Sequence, residues 1–319
     1  MKKGEIKFEI KNLECRYSNA THSVLKIDDL IINCGEIVFF IGSSGVGKST
    51  VLETLGLMNN TIYSNEDSEI KFYSNQTNTP TDYLKVWSES DSEISKRRSE
   101  NFSFIFQNTN LFPSLTALDN VKIAKSLQQK KDEGNSDAII IKELSKIFPF
   151  VAVKEIIGEM AMLDEDGLPI TRKGKPVYQP PKMISEMSGG QRQRLAFVRA
   201  ISSEYSVLFA DEPTGNLDEG NAASLMKILT DDVLEKNNTA VIVSHDLRLA
   251  VKCASKIVFI DKINNRDEKA SFQYGLISTG QTYITKDNEV WESCDGSTRS
   301  IASHKLIDLL SKKITIQSK

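Results

Sequence analysis

Glu36-Ile37-Val38-Phe39-Phe40-Ile41-Gly42-Ser43-Ser44-Gly45-Val46-Gly47-Lys48-Ser49-Thr50 runs from a β-branched and aromatic segment into a glycine-rich turn that closes on lysine and a hydroxyl residue. The apolar half is the pattern of a strand buried on both faces, and a helix is predicted from Lys48 to Met58. Gly42 and Gly47, with four residues between them and followed by Lys48-Ser49, fit the phosphate-loop pattern. Average composition would yield that string in roughly one chain of this length in a hundred, and its place between a strand and a helix lowers the odds further. Glycines let successive N–H groups converge on phosphate oxygens, and the helix N-terminus adds about half a positive charge. Lys48 would reach the β- and γ-phosphates, and the Ser49 hydroxyl would ligate Mg2+. A βα turn without a ligand would not require these two residues, so the loop reads as a nucleoside-triphosphate site.

Outward from this loop the chain alternates strands and helices. Residues 5–10 alternate apolar and polar, and Val24–Ile32 is β-rich. Phe102–Phe106, Val207–Ala210, Ala240–Val243 and Ile257–Ile260 are short buried-type strands, with helical patterns at 219–236 and 246–255. That spacing predicts an α/β fold, a parallel sheet covered on both faces. Residues 115–162 and 186–204 read as helical, including Val153–Leu163, and look like an insertion between two halves of the sheet. Asp164–Pro181, rich in Gly and Pro, reads as a loop or small hairpin. Residues 262–319 read as a separate appendage whose Tyr283, Trp291 and closing helix near 300–312 form a small packed core.

Composition narrows the function. The 319 residues carry 40 Lys+Arg against 43 Asp+Glu, enough chain for one large domain or two modest ones. A net charge of −3 offers no basic field to capture nucleic acid, so none is expected as a partner. Apolar runs fall far short of the ~18 residues needed to cross a bilayer. The basic start lacks the apolar stretch of a secretory signal. Cys15, Cys34, Cys253 and Cys294 have no paired spacing, the pattern of reduced thiols in a cytosolic protein.

Three further strand ends carry polar residues. Val207–Ala210 delivers Asp211 and Glu212 to the carboxyl edge, where ligands of such sheets bind. Asp211 suits a Mg2+ contact, and Glu212 suits polarisation of an attacking water. His245, after the strand Thr239–Val243, is placed to donate to a γ-phosphate oxygen. Gln107 ends a fourth strand, where its amide oxygen suits Mg2+ or the water. Ser188-Gly189-Gly190-Gln191 opens a helix with unsatisfied N–H groups and few side chains in the way, a second anion-binding terminus.

Together these motifs resemble those of the ABC-type ATPases, the nucleotide-binding subunits of ATP-binding-cassette transporters, over roughly residues 5–260. Met187–Gln191 matches the family signature with Met in place of Leu. Phe106-Gln107 through Val121, and Ala210 through Asp218, resemble the lipoprotein-release and macrolide-export branch. The resemblance implies a P-loop NTPase with a RecA-like parallel sheet core, an antiparallel β subdomain and an inserted α-helical signature subdomain at about 108–204. It places the ATPase domain at 1–261 and an extension at 262–319. Segments 74–86, 164–182 and 262–319 look like additions to the usual cassette. The family also implies that Tyr17 stacks on adenine, that Gln107 is the Q-loop, that Asn216-Leu217-Asp218 is the D-loop with Asp218 at the nucleotide, and that His245 is the switch. It makes Lys48, Gln107, Glu212 and His245 the catalytic set. Gly42, Ser43, Ser44, Gly45, Val46, Gly47, Lys48, Ser49 and Thr50 would hold ATP in one copy, facing Ser188, Gly189, Gly190 and Gln191 of another. Ser49, Gln107 and Asp211 would hold Mg2+. The implied assembly is a head-to-tail homodimer with two ATP molecules, docked on a separate integral-membrane permease at the cytoplasmic face of the cell membrane. A cassette driving a membrane regulator such as a cell-wall hydrolase controller, or a soluble ABC protein, shares the same motifs. No guanine-reading Asn-Lys-x-Asp motif occurs.

Overall fold

The computed structural model describes residues 4–63, 65–75, 79–127, 136–215, 217–267, 270–298 and 300–318. The chain divides into two compact units. The first comprises Met1–Phe104, Tyr205–Pro213 and Thr230–Lys319, and the second comprises Ile105–Glu204 and Thr214–Leu229.

Two sheets build the first unit. Strands Val207–Asp211, Thr239–Val243, Ile37–Ile41 and Lys256–Phe259 pair in that order, all parallel. The strands of Ile37–Ile41 and Thr239–Val243 are buried throughout, as continuous apolar runs between covered faces should be. The second sheet is built on strands Ile6–Cys15 and Leu25–Asn33, paired antiparallel, with Glu69–Phe72 on the far side of Ile6–Cys15. Alternating burial along Ile6–Cys15 turns Phe8 and Ile10 inward. There they join Val38, Phe40, Phe209, Val241 and Val258 in one apolar cluster. Phe8 and Phe209 have ring centroids 6.5 Å apart, and Phe102 meets Phe209 edge-on at 5.3 Å, the arrangement aromatic quadrupoles favour.

The strands described after residue 260 are woven into both sheets rather than set apart. The hairpin Asp261–Asp267/Ala270–Ile277 joins the antiparallel sheet, with Gly275, Leu276 and Ile277 paired parallel to Leu25, Lys26 and Ile27. Thr282–Thr285 then pairs with Lys256–Phe259, followed by Val290–Ser293 and Ile301–Ala302. The physical reason is the edge. Lys256–Phe259 is buried along its whole length, so its outer N–H and C=O groups need partners. Trp291, Leu306 and Leu310 are fully buried, and the Trp291 indole N–H donates to Ser303 Oγ at 3.1 Å. The small core expected there therefore exists, as the margin of the main sheet.

The second unit holds helices Ala117–Ser126, Ser136–Ile147, Phe150–Ile157 and Gly189–Ile201. They pack around Val121, Ile140, Leu144, Ile156, Leu195 and Val198. The helix expected over Val153–Leu163 stops at Ile157, because Gly158 caps it at φ 76°, a left-handed stop that glycine allows. Ala161 and Leu163 instead form bridges with Tyr178 and Pro169, and Thr171–Arg172 pairs with Lys175–Pro176, a small hairpin within 164–181.

Candidate functional site

In the first unit the phosphate loop leaves strand Ile37–Ile41 and enters helix Lys48–Leu55. Gly45 and Gly47 sit at φ 77° and 91°, a region that disfavours side chains. Gly47 is also the helix N-cap, and no side chain caps the first turn, so its N–H groups are left for an anion. Ser43 Oγ is buried without a hydrogen-bond partner. Lys48 Nζ donates to the carbonyls of Gly42 and Ser43 at 2.9 and 2.8 Å. Burial pulls the Lys48 pKa down, while Glu212 and Asp211 pull it back up.

The acidic pair stands where the strand delivers it. Asp211 is level with Val243 of the neighbouring strand, and Glu212 N–H donates to the Val243 carbonyl at 2.9 Å. Glu212 lies at φ 44°, an unusual conformation for a non-glycine residue and one concentrated at functional sites. Its carboxylate lies 2.8 Å from His245 Nδ1, with the His245 side chain 74% exposed and that of Glu212 only 15%. Ser49 Oγ donates to Asp211 Oδ2 at 3.4 Å. Burial raises the Asp211 pKa, and the adjacent Glu212 charge adds to it.

Two carboxylates held together in a half-buried site cost stability. The folded pKa of Asp211 is raised, so the folded state holds this proton more tightly than the unfolded chain. Stability is therefore lost as pH rises through the carboxylate range towards that raised value. Asp211→Asn should melt higher than the unaltered protein at neutral pH, with the gain fading in acid. Calorimetry on the nucleotide-free protein at pH 4 and pH 7 reads this, and an unchanged midpoint at pH 7 would show that the pair carries no strain.

Tyr17 is brought to the same helix. Its hydroxyl donates to Glu53 Oε2 at 2.8 Å and lies 3.2 Å from Thr50 Oγ1, and burial raises its pKa. Thr50 is itself buried, with its hydroxyl turned to Tyr17. Glu53 belongs to none of the sequence motifs; its spacing of three from Thr50 and four from Ser49 along one helix is the signal that marks it.

The second unit carries the remaining residues. Ser188 Oγ accepts from Gln191 N–H at 3.2 Å and the Gln191 side chain accepts from Ser188 N–H at 3.0 Å, a reciprocal cap. Met187 is buried in the helical core, which is why methionine serves at that signature position. A Cβ placed on Gly190 would meet Leu217 Cδ2 at 3.6 Å, so the signature turn and the D-loop residue Leu217 are neighbours within this unit. Asp218 accepts from Asn221 N–H at 3.0 Å, and this bond holds its pKa down. Gln107 is exposed two residues past strand Phe102–Ile105. Asn216 lies outside the described residues.

Comparison with known proteins follows the same lines. The family model described as ABC transporter matches residues 25–215. The chain is 32% identical over 260 residues to the lipoprotein-releasing system ATP-binding protein LolD of Pseudoalteromonas translucida, covering 81% of this chain and 94% of that one. It is 29% identical over 299 residues to the macrolide export ATP-binding/permease protein MacB of Chlorobium phaeobacteroides, covering 92% of this chain. It spans only 39% of that relative's length, and 31% of its Pasteurella multocida counterpart. Among solved structures, a dimeric ATP-binding cassette in a post-hydrolysis state, bound to ADP and Pi, matches with a TM-score of 0.55 at 25% identity, over 79% of this chain and 93% of that one.

Proposed function

The chain belongs to the ABC transporter family, and on that premise we propose that it is the ATP-binding and ATP-hydrolysing subunit of a transporter of the lipoprotein-release or macrolide-export type. The observation that carries this reading is the convergence of Lys48, Ser49, Asp211, Glu212 and His245 on one phosphate loop. Both expected ligands fit the residues present. Ser43 Oγ is a buried hydroxyl without a partner, and the uncapped helix start offers N–H groups to phosphate. The Ser49 hydroxyl and Asp211 carboxylate are the hard oxygen donors that Mg2+ prefers. The ion would neutralise phosphate charge.

The chain's own residues do the rest. Lys48 exchanges the Gly42 and Ser43 carbonyls for phosphate oxygens. Glu212 accepts a proton from water as the water oxygen bonds the γ-phosphorus and the bond from that phosphorus to the β–γ bridging oxygen breaks, releasing ADP and phosphate. His245 holds the Glu212 carboxylate in place. In the assembled form Ser188–Gln191 and Asp218 of a second copy would close over the nucleotide, making ATP the charged glue between copies. A membrane permease would take up that closing motion from the cytoplasmic side. Among the described residues no helix is long and apolar enough to cross a membrane itself.

Light scattering on Glu212→Gln tests the assembly. It should run as a monomer without nucleotide and as a dimer with Mg-ATP, and a mass that ATP does not change would refute ATP-driven pairing of the isolated subunit.

A further inference from the structure

We propose that Gly275, far along the chain in the stretch after residue 261, is a positioning residue for the phosphate loop. It lies in strand Ala270–Ile277, level with Leu25 on one side and Lys262 on the other. Its N–H donates to the Val24 carbonyl at 2.9 Å. A Cβ built on Gly275 would overlap the Val46 carbonyl oxygen, reach 3.0 Å from Val46 C and come within 2.7 Å of Ile260 Cγ2. The φ of Gly275 lies outside the left-handed region, so its conformation is open to any residue. Glycine is demanded here by close approach alone.

What it approaches is the peptide between Val46 and Gly47. In a trans peptide the C=O and the following N–H point in opposite directions across one plane. With the Val46 oxygen held against the Gly275 backbone, the Gly47 N–H is turned the other way, away from strand Ala270–Ile277. The same strand pair braces Gly47 itself: a Cβ there would lie 3.1 Å from Leu25 Cβ and 3.4 Å from the Val24 carbonyl. Leu25 is also the residue that pairs with Gly275. Register therefore matters, since a slip by one residue would bring Tyr274 or Leu276 against the loop in place of a bare Cα.

The inference rests on the reading of this loop as a nucleotide site. Gly275→Ala should displace the Val46 carbonyl and turn one N–H away from phosphate. ATP and ADP affinity should fall by about ten- to a hundredfold, the worth of a hydrogen bond to a charged group. Gln273→Ala, an exposed position on the same strand, should bind as the unaltered protein does. Isothermal titration with ATP and with ADP reads the effect, alongside the melting curve without nucleotide. A Gly275→Ala protein that melts cooperatively and binds ATP normally overturns the proposal.

A second measurement needs only the unaltered protein. Coupling is reciprocal, so saturating ATP should slow amide hydrogen exchange across residues 273–277. Exchange there that ATP leaves unchanged overturns the proposal even if Gly275→Ala does not fold. An unaltered protein that binds no ATP would instead remove the nucleotide reading.

Discussion

Glu212→Gln should bind ATP about as well as the unaltered protein and hydrolyse it about 10²–10⁴-fold more slowly, the usual worth of a positioned general base. The amide keeps the size of the carboxylate and can still accept from His245 Nδ1, which lies 2.8 Å from the Glu212 oxygen. What it loses is basicity. The substitution also removes one negative charge from beside the phosphate loop, so repulsion of the triphosphate falls and ATP binding should be kept. Phosphate release at saturating Mg-ATP, measured beside nucleotide affinity, separates the two steps. Turnover near the original rate would remove Glu212 from the proton-accepting role, and a parallel collapse of affinity would make it a binding residue.

Lys48→Ala is expected to act on the other quantity. Its ammonium is half-buried, tethered by two carbonyls of its own loop, and already partly desolvated. Bringing phosphate beside it exchanges neutral partners for charged ones at little further cost. Truncating one side of such a charge pair costs several kcal/mol, which places the loss of ATP affinity at about a hundredfold or more. The nucleotide-free fold should lose less, about 1–3 kcal/mol, for two half-exposed hydrogen bonds from the ammonium. Titration with ATP together with a melting curve distinguishes these, and nucleotide binding that survives the substitution contradicts the role given to this loop.

The parts of the site legible in the sequence are those whose requirements are local. Gly45 and Gly47 take backbone angles that glycine favours, and Lys48 and Ser49 follow at fixed steps, so the whole loop is written in consecutive residues. Asp211, Glu212 and His245 are legible for a related reason: each stands at or just past the end of a largely apolar strand, and parallel strands bring such ends to one edge. What the sequence does not display is pairing. The alternation of Phe272, Tyr274 and Leu276 announces a strand but not that its neighbour is Leu25–Asn33. The tether of Tyr17 to Glu53 and the crowding at Gly275 each join residues far apart in sequence, and no periodicity records them. The end of helix Phe150–Ile157 is encoded in Gly158, but the apolar pattern running on through Leu163 masks it.

The strands that close the margin of the parallel sheet shape how the protein can be cut. Lys256–Phe259 has the phosphate-loop strand on one side and Thr282–Thr285 on the other, and the sheet then tapers to the two-residue strand Ile301–Ala302. A chain shortened ahead of Thr282 would leave the ladder of a buried strand bare, the kind of surface that recruits other chains. Such a product would be lost to aggregation before its chemistry could be assayed. An inactive shortened chain would therefore report on solubility, and the contribution of these strands to turnover has to be read from single substitutions in the intact protein.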